Sequence, residues 1–400
     1  MSTKDITPRA LINETIKATL PIIEQDEKAK KRYLSMFISA DNLYLLNNDT
    51  IEMLNAYERE GNPYAAYALG RYHRIVQPDT DSIETAEKMY EYAYKHGIAD
   101  AGMALSMALR YGHFGYIDKR KSHQLFAEAL EKESRLAAYS QLNNLLFGYN
   151  NTEKNPGKAL TIVNELIAID GEEEPNWAYM KAVIIMNIYG EESSIPYYQK
   201  AISLGSNYAL SVYPCLFIPK DDEDADKEAF IAALKEGMEK ENCDCYYNYA
   251  FEVDDEEEAR NSLHKALDLG STEAARLLGD IYQGLAREEE DEAYYYKAWN
   301  CYNTGARHDS EECMERLFDM ANDELVEVSE KQKEAIAICG ARFGSQKLIN
   351  AVVDAYKHGR LTDFAAEIEQ YYLPGYDPDY EDETEDDEFP DDDGRFDAYV

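Results

Sequence analysis

A short pattern returns along this chain. It reads Tyr197-Tyr198-Gln199-Lys200-Ala201-Ile202-Ser203-Leu204-Gly205, then Ser262-Leu263-His264-Lys265-Ala266-Leu267-Asp268-Leu269-Gly270. It reads also Met89-Tyr90-Glu91-Tyr92-Ala93-Tyr94-Lys95-His96-Gly97, with a looser copy from Ile336 to Gly344. Each copy has the apolar spacing of a helix that ends at glycine, the residue best suited to the left-handed C-terminal position. Gly61, Gly97, Gly171, Gly205, Gly270, Gly305 and Gly344 mark such ends, at intervals close to one helical hairpin or twice that. Glu133-Ser134 stands where one such glycine is missing, and another hairpin ends near Asn242. A repeat of this length is one helix-turn-helix unit that cannot bury its own apolar face, so neighbours must stack.

Between these ends the sequence predicts a second helix per unit, as over residues 63–73, 100–111, 175–189 and 272–285. Pro63 and Pro175 suit a first helical turn, where the missing N–H costs nothing. The expected fold is all-α: about nine stacked helix-turn-helix units over residues 50–376, preceded by an N-terminal helical cap at 1–49. Pro214 falls inside one expected first helix, and the next one, residues 244–252, reads short. Residues 377–400 hold 13 acidic side chains and almost no aliphatic ones and cannot bury enough apolar surface to order themselves, which predicts a disordered acidic tail.

Charge narrows the partners. The formal net charge is −39. Residues 1–150 hold 18 basic and 20 acidic side chains, residues 151–376 hold 21 and 46, and residues 377–400 hold 1 and 13. Such a field disfavours nucleic acid and anionic membrane and attracts basic proteins. No apolar run has the length of a signal peptide or a membrane span, which predicts a cytoplasmic protein. The six cysteines are irregularly spaced and read as reduced thiols.

Chemistry-bearing patterns are sparse. The seven histidines form no metal-binding spacing, and Cys243-Asp244-Cys245 lacks the second pair that a metal or redox site needs. Adjacent carboxylates are common in a chain with 79 acids, and no calcium-loop spacing or phosphate loop occurs. The expectation is a protein without cofactor, metal or catalytic site.

The repeat resembles the Sel-one-like repeat, a branch of the tetratricopeptide-repeat superfamily. Ala274, Leu278-Gly279 and Tyr282 match its first helix; Ala65 and Leu69-Gly70 match too, with the tyrosine displaced to Tyr72. Tyr197-Tyr198, Lys200-Ala201 and Gly205 match its second helix, and the glycine of Leu-Gly would admit a closely packed partner helix. The resemblance implies a right-handed α-solenoid with a concave groove and a role as scaffold or adaptor for a protein or peptide. Carried onto this sequence, the partner-facing positions are Tyr64, Tyr67, Arg71 and Arg74; then Met103, Met107 and Arg110; then Arg276, Asp280 and Gln283. Three alternatives stand beside this. The acidic half would make an inhibitor or immunity-type protein that neutralises a basic partner, such as a nuclease-like toxin. The tail would fold back onto Arg71, Arg74 and Arg110. An enzyme with an unrecognised site is the third.

Overall fold

The computed structural model describes residues 7–78, 80–149, 152–171, 174–218 and 224–375. The acidic tail expected at 377–400 lies outside the described residues. Among the described residues the secondary structure is helical, with no strand. The helices are α1 Pro8–Thr19, α2 Glu27–Ser35, α3 Asp41–Tyr44, α4 Asn48–Arg59, α5 Pro63–Ile75, α6 Thr80–Lys95 and α7 Ala99–Tyr111. Then follow α8 Lys119–Glu131, α9 Arg135–Phe147, α10 Pro156–Asp170, α11 Pro175–Tyr189, α12 Glu191–Ser203, α13 Asn207–Phe217 and α14 Asp224–Glu239. The last are α15 Cys243–Tyr249, α16 Glu256–Asp268, α17 Thr272–Glu288, α18 Ala293–Arg307, α19 Glu311–Asn322, α20 Glu330–Phe343 and α21 Gln346–Lys357, with short helical turns over 362–375. Eight helix pairs, α5/α6 to α19/α20, form the repeat, and α21 begins a ninth. This is the all-α helical-repeat solenoid that the sequence predicts.

Local chemistry explains the punctuation. Most first helices start at a serine or asparagine whose side chain accepts an N–H of the first turn: Asn62, Ser134, Ser206, Asn242, Ser271, Ser310 and Ser345. Gly305 departs from expectation. It lies inside α18, and the left-handed turn falls four residues later at Asp309, φ 73°. Gly305 instead admits the next helix, since a Cβ there would sit 2.4 Å from Cys313 Sγ. The missing glycine near 134 and the turn before Asn242 are made by Glu133 and Glu241, both left-handed. The Leu-Gly pattern has the packing reason expected: a Cβ on Gly70 would meet the Tyr90 ring at 2.8 Å, and one on Gly279 the Tyr302 ring at 2.2 Å. Pro214 is accommodated within α13, and α15 has only 7 residues.

The chain divides into two compact units. Unit 1 holds residues 1–109 and 118–270, and unit 2 holds residues 110–117 and 271–400. Unit 1 has its main core where Trp177, Ile184, Leu142, Val163 and Tyr198 interlock across α9–α12. Unit 2 has its own core of Val352, Val353, Ile338, Ile368 and Tyr372. In unit 2 the buried Arg342 donates Nε and Nη2 to Glu367 at 2.9 and 3.0 Å, and also donates to the Gly112 and Gly115 carbonyls. Phe343 stacks beside it on Tyr111, with ring centroids 5.0 Å apart.

Candidate functional site

Positions two, five and nine residues after a helix cap lie on one helix face, because they are spaced by three and four. Counted from each cap in unit 1, this register holds Tyr64, Tyr67 and Arg71 on α5, and Tyr139 on α9. It holds Asn176 and Tyr179 on α11, Tyr208 on α13, and Asp244 and Tyr247 on α15. Counted from Ile98, the residue before α7, it also holds Asp100, Met103 and Met107. The residues expected from the sequence to face a partner are in this set, with Arg74 and Arg110 one turn further along.

In unit 1 this face is covered by the chain itself. Residues 8–47 run along it. The Tyr33 hydroxyl donates to the Tyr64 carbonyl at 3.0 Å, and the Tyr33 ring meets Tyr64 edge-on. Phe37 packs edge-on against Tyr67, centroids 5.9 Å apart. Asn176 donates its amide to the Ser35 carbonyl at 3.2 Å, and Ile38 enters the α9–α12 core. Further along, Tyr44 donates to the Ile75 carbonyl, and Leu11 packs at Gly205. Arg9 forms a two-pronged ion pair with Glu241, at 2.5 and 2.8 Å.

Two polar centres fix this arm. The first is Asp41, whose negative charge acts on three tyrosines from three successive first helices: Tyr139, Tyr179 and Tyr208. Burial, foremost, raises all three hydroxyl pKa values, and the Asp41 charge adds to it. The second centre is Asp170, at the end of α10, with its side chain 5% exposed. It receives Nε and Nη2 of Arg135 at 3.0 and 2.5 Å and the Trp177 indole N–H at 2.9 Å. Lys31 of the arm approaches it at 3.8 Å.

The expected site residues fare differently. Tyr64 and Tyr67 meet the arm. Arg71 and Arg74 are buried, 5% and 7% exposed, and the Arg71 charge lies beside the Asp100 carboxylate. Burial raises the Asp100 pKa, against hydrogen bonds from Ser134 and the Leu136 N–H. Met103 is buried and Met107 is exposed. Arg110, grouped with unit 2, lies over the Tyr111 ring. The sequence reading did not single out Asp41, Tyr139, Tyr179, Tyr208 or Asp170. Counting five residues from each cap would have set Tyr139, Tyr179 and Tyr247 beside Tyr67 as one tyrosine ladder.

In unit 2 the same register carries charge. Arg276 pairs with Asp280 at 2.9 Å, Arg316 reaches the same carboxylate at 3.3 Å, and the Tyr302 hydroxyl donates to it at 2.6 Å. Lys347 pairs with Asp319 at 2.8 Å, and Ser345 donates to Glu315. Gln283 is half-buried on the same helix as Arg276. The first turn of α19 concentrates negative charge. Burial, then the Glu315 and Glu312 carboxylates, push the Glu311 pKa up to about 7. Its folded pKa lies above its unfolded one, so the folded state holds the proton longer. The stability it contributes is present below about pH 4.5 and is lost as pH rises toward 7. Glu311→Gln is therefore expected to stabilise the protein against urea at pH 8 and to change nothing at pH 4.

All six cysteines are free, and burial pushes the Cys301 thiol up to about 11 and Cys313 to about 12, which disfavours a thiolate nucleophile. Among the described residues no group of three or more His, Cys, Asp or Glu is placed to hold a metal ion. Among them too, no helix is long and apolar enough to cross a membrane.

No protein-family model matches the chain, and no curated protein matches it. Solved structures do. A Sel1 repeat protein from Oxalobacter formigenes is 16% identical, over 76% of this chain and 89% of its own, with a TM-score of 0.39. The protective antigen c5321 of uropathogenic Escherichia coli, which displays an SLR fold, is 15% identical, over 87% of this chain and 83% of its own, with a TM-score of 0.37. Both carry the type of repeat that the sequence resembles.

Proposed function

We propose that this chain is a non-enzymatic binding protein, an adaptor that seats polypeptide segments along its first helices. One observation carries the reading: residues 8–47 lie on the two-five-nine face of unit 1 and are held there by aromatic contacts and ion pairs. These are the terms by which a partner's segment is recognised, here supplied within one chain. The arm buries Tyr33, Phe37, Ile16, Leu20, Leu43 and Leu45 almost completely, so in unit 1 the face has its occupant already.

A split-chain experiment tests this. Residues 1–46 and 47–400 are co-expressed as separate polypeptides. The expected result is a one-to-one complex through gel filtration, in which a labelled copy of the short piece exchanges with the bound one. Pieces that elute apart, with the long piece still folded, would overturn the reading.

A second reading is favoured by charge: 46 acidic against 21 basic side chains over residues 151–376 suit an inhibitor of a basic protein. Both readings place recognition on helix faces and need no turnover.

A further inference from the structure

Unit 1 buries a polar cluster that helix packing alone does not call for. Tyr67 and Arg71 lie one turn apart on α5 and share a helix face. Tyr90 of α6 packs its ring on α5 at Gly70, the neighbour of Arg71, where a Cβ would meet the ring at 2.8 Å. Asp100 lies in the first turn of α7. All four are enclosed: Tyr67 is 0% exposed, Tyr90 2%, Asp100 2% and Arg71 5%. The Arg71 charge acts on the Tyr67 and Tyr90 hydroxyls and on the Asp100 carboxyl. Yet Tyr67 Oη and Arg71 Nε are buried with no hydrogen-bond partner among the described residues. Asp100 does not supply one. Its Oδ1 accepts from Ser134 Oγ at 2.9 Å and from the Leu136 N–H at 2.7 Å, both at the start of α9.

We propose that Tyr67 and Arg71, with Tyr90, hold one small monovalent anion of about the size of chloride inside unit 1. The inference goes beyond the adaptor reading and does not rest on it. The donors set the sign. A guanidinium keeps its proton even when buried, and a buried charge without a close partner is costly. The unsatisfied groups, an N–H and a hydroxyl, can both donate, and an anion accepts from both. A water would accept as well but would leave the charge unmatched. Enclosure sets the size. Side chains this buried admit a group near the size of a water molecule, which suits a halide better than a phosphate or a carboxylate. Asp100 sets the proton count. Arg71 and Asp100 balance when both are charged, so the anion enters together with a proton on Asp100. Burial, foremost, already raises the Asp100 pKa, against the Leu136 and Ser134 hydrogen bonds and the Arg135 and Arg71 charges. A second negative charge nearby raises it further. Binding is therefore tighter at low pH and weakens as pH rises.

The test uses the full-length protein, melted by circular dichroism in sodium chloride, bromide, acetate or gluconate at one ionic strength. A ligand of the folded state raises the melting midpoint with the logarithm of its concentration once that exceeds Kd. The midpoint is expected to rise when chloride or bromide replaces gluconate, and to rise more at pH 6 than at pH 8. Acetate is expected to act as gluconate does. Tyr67→Phe keeps the ring, loses one donor and should weaken chloride binding about tenfold or more. Arg71→Met keeps the bulk and removes the charge, so it needs no partner to fold and should lose the chloride response. Arg32→Met removes an exposed arginine of α2 and should keep the full response. A wild type that melts alike in chloride and gluconate would overturn the proposal, since water alone would then serve the two donors. So would an Arg71→Met that responds as wild type does, because the salt effect would lie elsewhere. An acetate response equal to that of chloride would overturn the assigned size.

Discussion

Asp170→Ala is expected to destabilise the protein by about 3–5 kcal/mol, the range for removing one partner of a buried ion pair. The carboxylate serves three elements at once. It holds Arg135 of α9 through two hydrogen bonds, Trp177 of α11 through the indole N–H, and Lys31 of the arm. Without it, a guanidinium whose side chain is 10% exposed keeps its charge and loses its partner. The desolvation cost of Arg135 then stands uncompensated, which outweighs the few lost contacts of the small Asp side chain. Urea denaturation gives the measurement: the midpoint should fall with little change in slope. A double variant, Arg135→Met with Asp170→Leu, should recover much of the loss, because apolar groups of similar volume need no partner. A single variant within about 0.5 kcal/mol of wild type would show that Arg135 reaches water, and the account of this centre would fail.

Tyr33→Ala is expected to cost about 3–5 kcal/mol, the range for large aromatic truncations in a core. The ring is fully buried, sits 5.0 Å from Phe37 and meets Tyr64 edge-on. Tyr33→Phe separates the terms. It keeps the ring, loses only the hydrogen bond to the Tyr64 carbonyl, and should cost about 1 kcal/mol. The alanine variant should also loosen the arm before the rest of unit 1. Amide exchange over residues 27–44 is expected to quicken while α11 and α12 stay protected. Uniform acceleration across unit 1 would mean that the arm is an inseparable part of its core rather than a segment seated on a face.

The fold was legible because its signals are local. A glycine at the turn, a proline in a first helical turn and apolar residues at helical spacing each act within a few residues. They recur often enough to be counted. Gly305 was misread for the same reason. A glycine near a helix end suggests a turn, but the close approach of Cys313 from α19 is what excludes a side chain there.

The candidate site was legible only in part. Tyr64, Tyr67, Arg276 and Asp280 were singled out by matching them to a repeat pattern. Asp41 and Asp170 carry no such pattern: one lies in the arm outside the repeat and the other at the last position of a second helix.

What the sequence determined by itself is the helical-repeat class, the position of most turns, and the register that places two, five and nine on one face. Short-range forces set all of these. What only the tertiary structure decided is that residues 8–47 fill that face in unit 1. The physical reason is that the arm's affinity is a sum over segments far apart in the chain: Tyr33 with Tyr64, Ser35 with Asn176, Arg9 with Glu241. No single pair is strong enough, or close enough in sequence, to announce itself.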